Sequence, residues 1–389
     1  MKILIANPGS TSYKCKLYES ADMAVLFEAT VERIGEQDAI YRFRHAGEAE
    51  TTSTQPVPDY PGAVGLTLST LGTRHSIESL SAVGFKTVHA KGVTGCVELT
   101  PDVLAAMEEY RLLAPVHTDV YVMAISIFRN LLPATPLVGL FETHFHKNIP
   151  PEAATYGIPY DYTVRHGIRK YGFHGASHRY VAMRAAELFG ARKVISCHLG
   201  GSSSVCAIRD GWSVDTSMGM SPQSGLLNAK RVGDLDPYAL LYLMQKENLS
   251  VDAVGKVLMS NGGILGISGS SGDFRDIEAS MRKGDARAEL AFNTFAYVVK
   301  RYIGEYLAVL NGADCIVFTA GAGQKGVLLR KRILANMENL GIVLDDARNR
   351  ENPNEGLISS DTSPVRIAII PTNEELVVAK EVGAFMERR

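Results

Sequence analysis

At 389 residues, with 40 basic and 42 acidic side chains and a formal net charge of −2, the chain has room for two or three domains. Hydrophobic residues make up 46% and charged residues 21%, the balance of a soluble globular protein able to bury a large core. The even charge and the lack of a Lys/Arg-rich run speak against nucleic acid, no segment approaches the ~20 apolar residues of a membrane span, and five cysteines without a Cys-x-x-Cys pair read as reduced thiols of a cytoplasmic protein.

MKILIA opens directly on a strand, with no signal-type leader. Short strands are expected at Ile3–Ala6, Tyr13–Tyr18, Val25–Val31 and Ala39–Arg44, separated by turn residues as in an antiparallel meander. Thr51–Pro61 reads as a polar loop, and helical periodicity begins near Ala63. A strand at Ser81–His89 follows, then a helix Pro101–Tyr110 with Thr100 as N-cap and Pro101 at its first position, then a buried strand Leu137–Phe141. The proline-rich stretch Asn148–Tyr162 reads as an ordered crossing segment between domains. A second meander is expected at Val194–His198, Ser204–Arg209 and Gly211–Asp215, with Asp210-Gly211 as its tight turn. A long helix from about Ala286 to Leu310 carries apolar residues every three or four positions and is stopped by Asn311-Gly312. Strand Cys315–Thr319, helix Val327–Leu340, strand Val365–Ile370 and helix Glu374–Glu387 complete the chain. The same order, a meander followed by alternating helix and strand, therefore occurs twice. It predicts two related α/β lobes with a ligand cleft between them.

Three apolar runs break into small-residue turns that could bring backbone N–H groups to a phosphate: Asn7-Pro8-Gly9-Ser10-Thr11-Ser12, His198-Leu199-Gly200-Gly201-Ser202-Ser203-Ser204, and Gly321-Ala322-Gly323-Gln324-Lys325-Gly326. The last also fits Gly-x-Gly-x-x-Gly with Asp345 and Asp346 about twenty residues on, which leaves a dinucleotide site open. No Gly-x-x-x-x-Gly-Lys-[Ser/Thr] is present. His174 and His178, four residues apart, could join His144 and His146 as zinc ligands, or could donate hydrogen bonds to developing charge. Glu142 ends a strand and Glu374 and Glu375 start a helix; Glu142 and Glu374 are candidate oxygen ligands for Mg²⁺. Lys86, Lys230 and Arg231 are isolated cations that would neutralise a carboxylate or a phosphoryl group.

With these residues in place, the chain resembles the acetate kinases, within the superfamily of acetate and sugar kinases and actin-like ATPases. The matching stretches are Tyr171-Gly-Phe-His-Gly-Ala-Ser-His178, Cys197-His-Leu-Gly200, Ser217-Met-Gly219, Gly233-Asp-Leu-Asp-Pro237, Asp273-Phe-Arg-Asp276, Phe318-Thr-Ala-Gly321 and Pro371-Thr-Asn-Glu-Glu-Leu376. They outweigh the dinucleotide reading. The resemblance implies two duplicated ribonuclease H-like lobes, residues 1–148 with 376–389 and residues 149–375, the second binding nucleotide. It implies phosphoryl transfer between ATP and a short carboxylate, Mg²⁺ or Mn²⁺ as cofactor, and a homodimer without nucleic-acid or membrane partners. By position, Asn7 and Glu374 would serve the metal, and Lys86, Glu142, His174 and Arg231 the chemistry. Val88, Val116, His117, Phe173 and Pro222 would surround the carboxylate. Lys14, His198, Gly200, Gly201, Ser202, Asp273, Arg275, Gly321, Ala322, Gly323, Gln324 and Lys325 would contact the nucleotide. The chain departs from the family pattern in having Lys86 for an arginine, Glu142 for an aspartate, Gly201-Ser202 for Asn-Gly and Gln324-Lys325 for Glu-Asn. A propionate- or butyrate-type kinase, another phosphoryl donor, and a silent nucleotide-binding relative are the alternatives those departures raise.

Overall fold

Apolar alternation and tight turns set the first sheet. Strands β1 (Lys2–Pro8), β2 (Ser12–Glu19), β3 (Val25–Glu32), β4 (Ala39–His45) and β5 (Thr51–Gln55) form an antiparallel meander, and β6 (Leu80–Thr87), β7 (Cys96–Glu98) and β8 (Leu137–Phe141) extend it. The order is β5-β4-β3-β2-β1-β6-β8-β7, with β1, β6 and β8 parallel. The structure is a computed structural model that describes residues 1–389 apart from the side chain of Val116, so that one residue of the implied acyl pocket lies outside the described residues. The chain divides into two compact units, Met1–His144 with Asn373–Arg389, and Phe145–Thr372.

The second unit repeats the plan. Strands β9 (Lys193–His198), β10 (Ser204–Arg209) and β11 (Trp212–Thr216) form a meander; β12 (Cys315–Thr319) and β14 (Arg366–Ile369) run parallel to β9, and β13 (Gly356–Leu357) closes the edge. Its order, β11-β10-β9-β12-β14-β13, matches β3-β2-β1-β6-β8-β7 of the first sheet position by position. This is the duplicated ribonuclease H-like α/β plan expected. Helix Ala286–Leu310 has the predicted bounds, and its stripe Phe292, Phe295, Val299, Tyr306 and Leu310 is fully buried. Asn311 and Gly312 leave it with φ of 51° and 86°, the left-handed stop its sequence asks for. Asp210 and Gly211, at φ of 52° and 81°, make the β10–β11 turn. Among the described residues no helix is long and apolar enough to cross a membrane.

Four expectations are corrected. Thr51–Pro61 is not all loop: Thr51–Gln55 pairs with β4 as an edge strand, exposed and polar on both faces, so it lacks the alternation that marks a half-buried strand. The first helix starts earlier, at Tyr60, because the Asp59 side chain accepts from the Gly62 amide at 2.8 Å. Helix Val327–Leu334 stops short of Leu340, where Asn336 turns left-handed at φ 57°. Ala320–Lys325 is a short helix rather than an open glycine turn.

In the first unit the C-terminal helix Glu374–Glu387 lies on the sheet over β1 and β6. Gly84 makes this approach feasible: a Cβ there would stand 2.7 Å from Ile5 and 2.9 Å from Val382. That seat brings Glu374, at the helix start, to the ends of the parallel strands.

Candidate active site

Parallel strands aim their C-terminal ends at one edge of a sheet, the usual place for a site in such folds. In the first unit Asn7 lies at the end of β1, Lys86 at the end of β6, and Glu142 directly after β8. The Lys86 ammonium lies 3.3 Å from the Glu142 carboxylate and also bonds that of Glu374. Glu142 is 5% exposed, Lys86 22% and Glu374 18%, so this is a sheltered triad of one cation and two anions. Burial alone would lower the Lys86 pKa, but the two carboxylates outweigh it and hold the amine well above its ordinary value. Tyr121, from helix Pro115–Leu131, donates to Asn7 Oδ1 at 3.4 Å. Nothing in the sequence marks this tyrosine, one aromatic among the apolar residues of a helix. The Asn7–Ser12 hairpin is closed by its own backbone, Gly9 N–H donating to Ser12 C=O at 2.8 Å, and the Tyr60 hydroxyl is set between the Gly9 and Ser12 carbonyls.

The second unit repeats the arrangement at the ends of β9 and β12. All three serine hydroxyls after β9 have partners. Ser203 Oγ bonds the Gly200 carbonyl at 3.0 Å, and Ser204 Oγ lies between His174 Nδ1 at 2.8 Å and His178 Nε2 at 2.7 Å. Ser202 Oγ accepts from the Arg231 guanidinium. The Ser203 amide donates to Asn228 Oδ1, and the Asn228 amide donates to the Arg231 carbonyl at 2.9 Å, so the two loops are laced together. Among the described residues Arg231 has no acidic partner. Burial pulls its pKa down to about 10.

His174 adopts φ 55°, left-handed, immediately before helix Gly175–Phe189. Its ring stacks on His198 with centroids 4.1 Å apart, and Ser177 Oγ lies 2.8 Å from His198 Nδ1. His146 Nε2 donates to the Phe173 carbonyl at 2.9 Å, which leaves Nδ1 to accept from Ser213 Oγ at 2.8 Å. Burial lowers the His146 pKa to about 4 and drives that of His178 well below its usual value, so both rings are neutral at pH 7. Among the described residues no group of three or more His, Cys, Asp or Glu could hold a metal ion, and the zinc alternative is not supported by this serine-bonded array.

These depressed values have a sign. A histidine whose folded pKa lies below its unfolded value of about 6.5 contributes stability at higher pH that is lost as pH falls toward the folded value. The melting temperature is therefore expected to drop between pH 6.5 and pH 4, with His146 alone accounting for about 3 kcal/mol. A flat calorimetric Tm across that window would contradict it.

A pocket of about 870 Å³ lies in the second unit, lined by Gly200, Gly201, Asp273, Arg275, Ala322 and Lys325 among others. Gly321 also lines it, whereas Gly323 and Gln324 are not among its lining residues. Arg330, a fully buried guanidinium, donates to the Gly323 and Gln324 carbonyls at 2.8 and 2.7 Å and to Asn349 and Asn352. It ties down the C-terminal end of the Ala320–Lys325 helix. The sequence gives no sign of this, since Arg330 sits in a basic, helix-like stretch. Asp273 caps the helix Phe274–Arg282 and pairs with Arg275, whose side chain and backbone pull the Asp273 pKa down to about 2. Lys14 belongs to the first unit, where it lines a groove of about 290 Å³ with Lys16, Glu28, Arg42 and Glu375. Val88 is buried just past β6, and His117 is exposed on helix Pro115–Leu131. Phe173 and Pro222 are buried in the second unit.

The acetokinase family pattern matches residues 2–380. An acetate kinase of Thermoanaerobacterium thermosaccharolyticum is 42% identical over 398 aligned positions, spanning all of this chain and 99% of that protein. One from Desulfitobacterium hafniense is 42% identical and spans both chains fully. Among solved structures, the Porphyromonas gingivalis acetate kinase superposes with a TM-score of 0.85 at 36% identity, and a Francisella tularensis propionate kinase with 0.89 at 33%, each covering 98% of both chains.

Proposed function

We propose the reaction of a chain that belongs to the acetokinase family and is a phosphotransferase with a carboxyl group as acceptor: reversible transfer of the γ-phosphoryl group of ATP to acetate, giving acetyl phosphate and ADP. The observation that carries this reading is the sheltered Lys86–Glu142–Glu374 triad beside Asn7 at the ends of parallel strands. A catalyst for transfer between two anions needs this mixture of fixed cations and hard oxygen donors. Asn7 Oδ1, which accepts a long bond from Tyr121, and the Glu374 carboxylate suit Mg²⁺ or Mn²⁺, which prefer oxygen ligands and take few carboxylates. Bound there, the ion would neutralise charge on the nucleotide's phosphates.

The acetate carboxylate is already ionised at neutral pH, so no base has to deprotonate it. One of its oxygens forms a bond to the γ-phosphorus while the bond to the ADP oxygen breaks, and the electron pair leaves with ADP. In the second unit Arg231 is the group for the acceptor carboxylate and the migrating phosphoryl and His174 its hydrogen-bond donor; in the first unit Lys86 is the cation that offsets phosphoryl charge. Gly200, Gly201, Ala322 and Lys325 hold the nucleotide in the second unit's pocket.

Acyl preference is a second question, because the Francisella tularensis protein, 33% identical to this chain, is a propionate kinase. Hydroxylamine trapping of acyl phosphate, with MgATP and acetate, propionate or butyrate in parallel, tests both. Acetyl hydroxamate is expected to form fastest. A higher kcat/KM for propionate or butyrate would move the substrate, and no hydroxamate from any acid would defeat the reading.

A further inference from the structure

Within the second unit two hydroxyls and two imidazoles form an unbroken line that ends on His174: Ser196 Oγ to His178 Nδ1 at 2.9 Å, His178 Nε2 to Ser204 Oγ at 2.7 Å, and Ser204 Oγ to His174 Nδ1 at 2.8 Å. Ser196, Ser204 and His178 are fully buried. Each hydroxyl has one proton, and a neutral imidazole has one donor and one acceptor nitrogen. Ser204 could also accept from both rings, but its own proton would then have no acceptor among the described residues; with each inner group donating one bond and accepting one, the line can run in only two ways. If it starts at His174 Nδ1–H, it ends with His178 Nδ1–H donating to Ser196, and the Ser196 proton must find another acceptor. Among the described residues Ser196 Oγ has no second partner, so that direction strands a donor in the core, which native structures avoid. Run the other way, Ser196 donates to His178 Nδ1, His178 Nε2–H donates to Ser204, and Ser204 donates to His174 Nδ1. Every proton is then used.

The geometry points to Ser196, His178 and Ser204 as positioning residues that fix the tautomer of His174: Nδ1 is committed as an acceptor and the ring's proton is held on Nε2. The inference rests on the reading of His174 as a donor to the transferring phosphoryl group, and it explains how the donating N–H is kept on Nε2. His178 must itself stay neutral to pass the direction on, and its burial keeps it so. The His146–Ser213 pair is a separate arm, anchored on the Phe173 carbonyl, and sets the chain entering His174 rather than its tautomer.

The test is ¹⁵N-histidine NMR of the full-length protein at pH 7.5, where long-range couplings separate the Nδ1–H and Nε2–H forms. His174 and His178 are both expected as Nε2–H tautomers. An Nδ1–H signal at either ring in the wild type, or a doubly protonated His174, overturns the relay. Ser196→Ala, two groups removed from His174, is expected to lower kcat about tenfold with KM for nucleotide and carboxylate unchanged, and to populate the reversed tautomer at His178. Unchanged kcat in a folded Ser196→Ala protein would also overturn the relay. A fully active His174→Ala would instead overturn the reading of His174 and leave the wild-type tautomers as measured.

Discussion

Lys86→Ala is expected to lower turnover by about 10³-fold, the scale on which a cation at a transferring phosphoryl group acts. The triad explains why no neighbour can stand in. The Lys86 ammonium is the group bonded to both Glu142 and Glu374, and Glu142 is 5% exposed. Removing it leaves two sheltered carboxylates facing each other. Breaking such a pair costs about 3–5 kcal/mol, so the melting temperature should fall along with kcat. Circular dichroism at the assay temperature separates the two effects, since the chemical defect must persist in protein that is still folded. Lys86→Arg keeps the charge and adds a planar fork, and is expected to retain or raise turnover. A Lys86→Ala protein with wild-type kcat would reduce this residue to a structural ion pair.

Where the sequence was readable, the reason is local. Leu137–Phe141 and Cys315–Thr319 are unbroken apolar runs, and both strands have the expected bounds. Helix Glu374–Glu387 carries its own start signal, with the Asn373 side chain accepting from the Leu376 amide at 3.2 Å. Thr51–Gln55 failed because an edge strand has no buried face to pattern it. Ala320–Lys325 failed because glycines in a helix look like a turn until tertiary contacts, here the Arg330 guanidinium on two of its carbonyls, hold them. The site divides along the same line. Lys86, Glu142 and Glu374 could each be singled out by residue type, but the pairing of Lys86 with Glu374 joins residues 288 positions apart. Periodicity has no reach over such a span. Ser204 was visible as a phosphate-turn hydroxyl, and the fold commits it instead to two histidines.

Arg231→Met is expected to abolish turnover, by about 10³-fold or more, without lowering the melting temperature. This is the opposite pattern to Lys86, and it follows from the partners. Lys86 has two carboxylates; Arg231 has the Ser202 hydroxyl and, among the described residues, no acidic group. A guanidinium drawn down to about pKa 10 by burial is a cost the folded protein bears until an anion arrives. Its position is fixed by backbone bonds on both sides, Asn228 N–H to the Arg231 carbonyl at 2.9 Å and Val232 N–H to the Leu258 carbonyl at 3.0 Å, so the truncated loop should keep its shape. Arg231→Lys retains the charge but loses the two-pronged geometry, and should fall about 10²-fold in kcat. Acetyl phosphate, titrated in a thermal-shift experiment, should raise the Tm of the wild type and leave that of Arg231→Met unmoved. Wild-type turnover in Arg231→Met, or an equal Tm rise in both proteins, would show that the anion is held elsewhere.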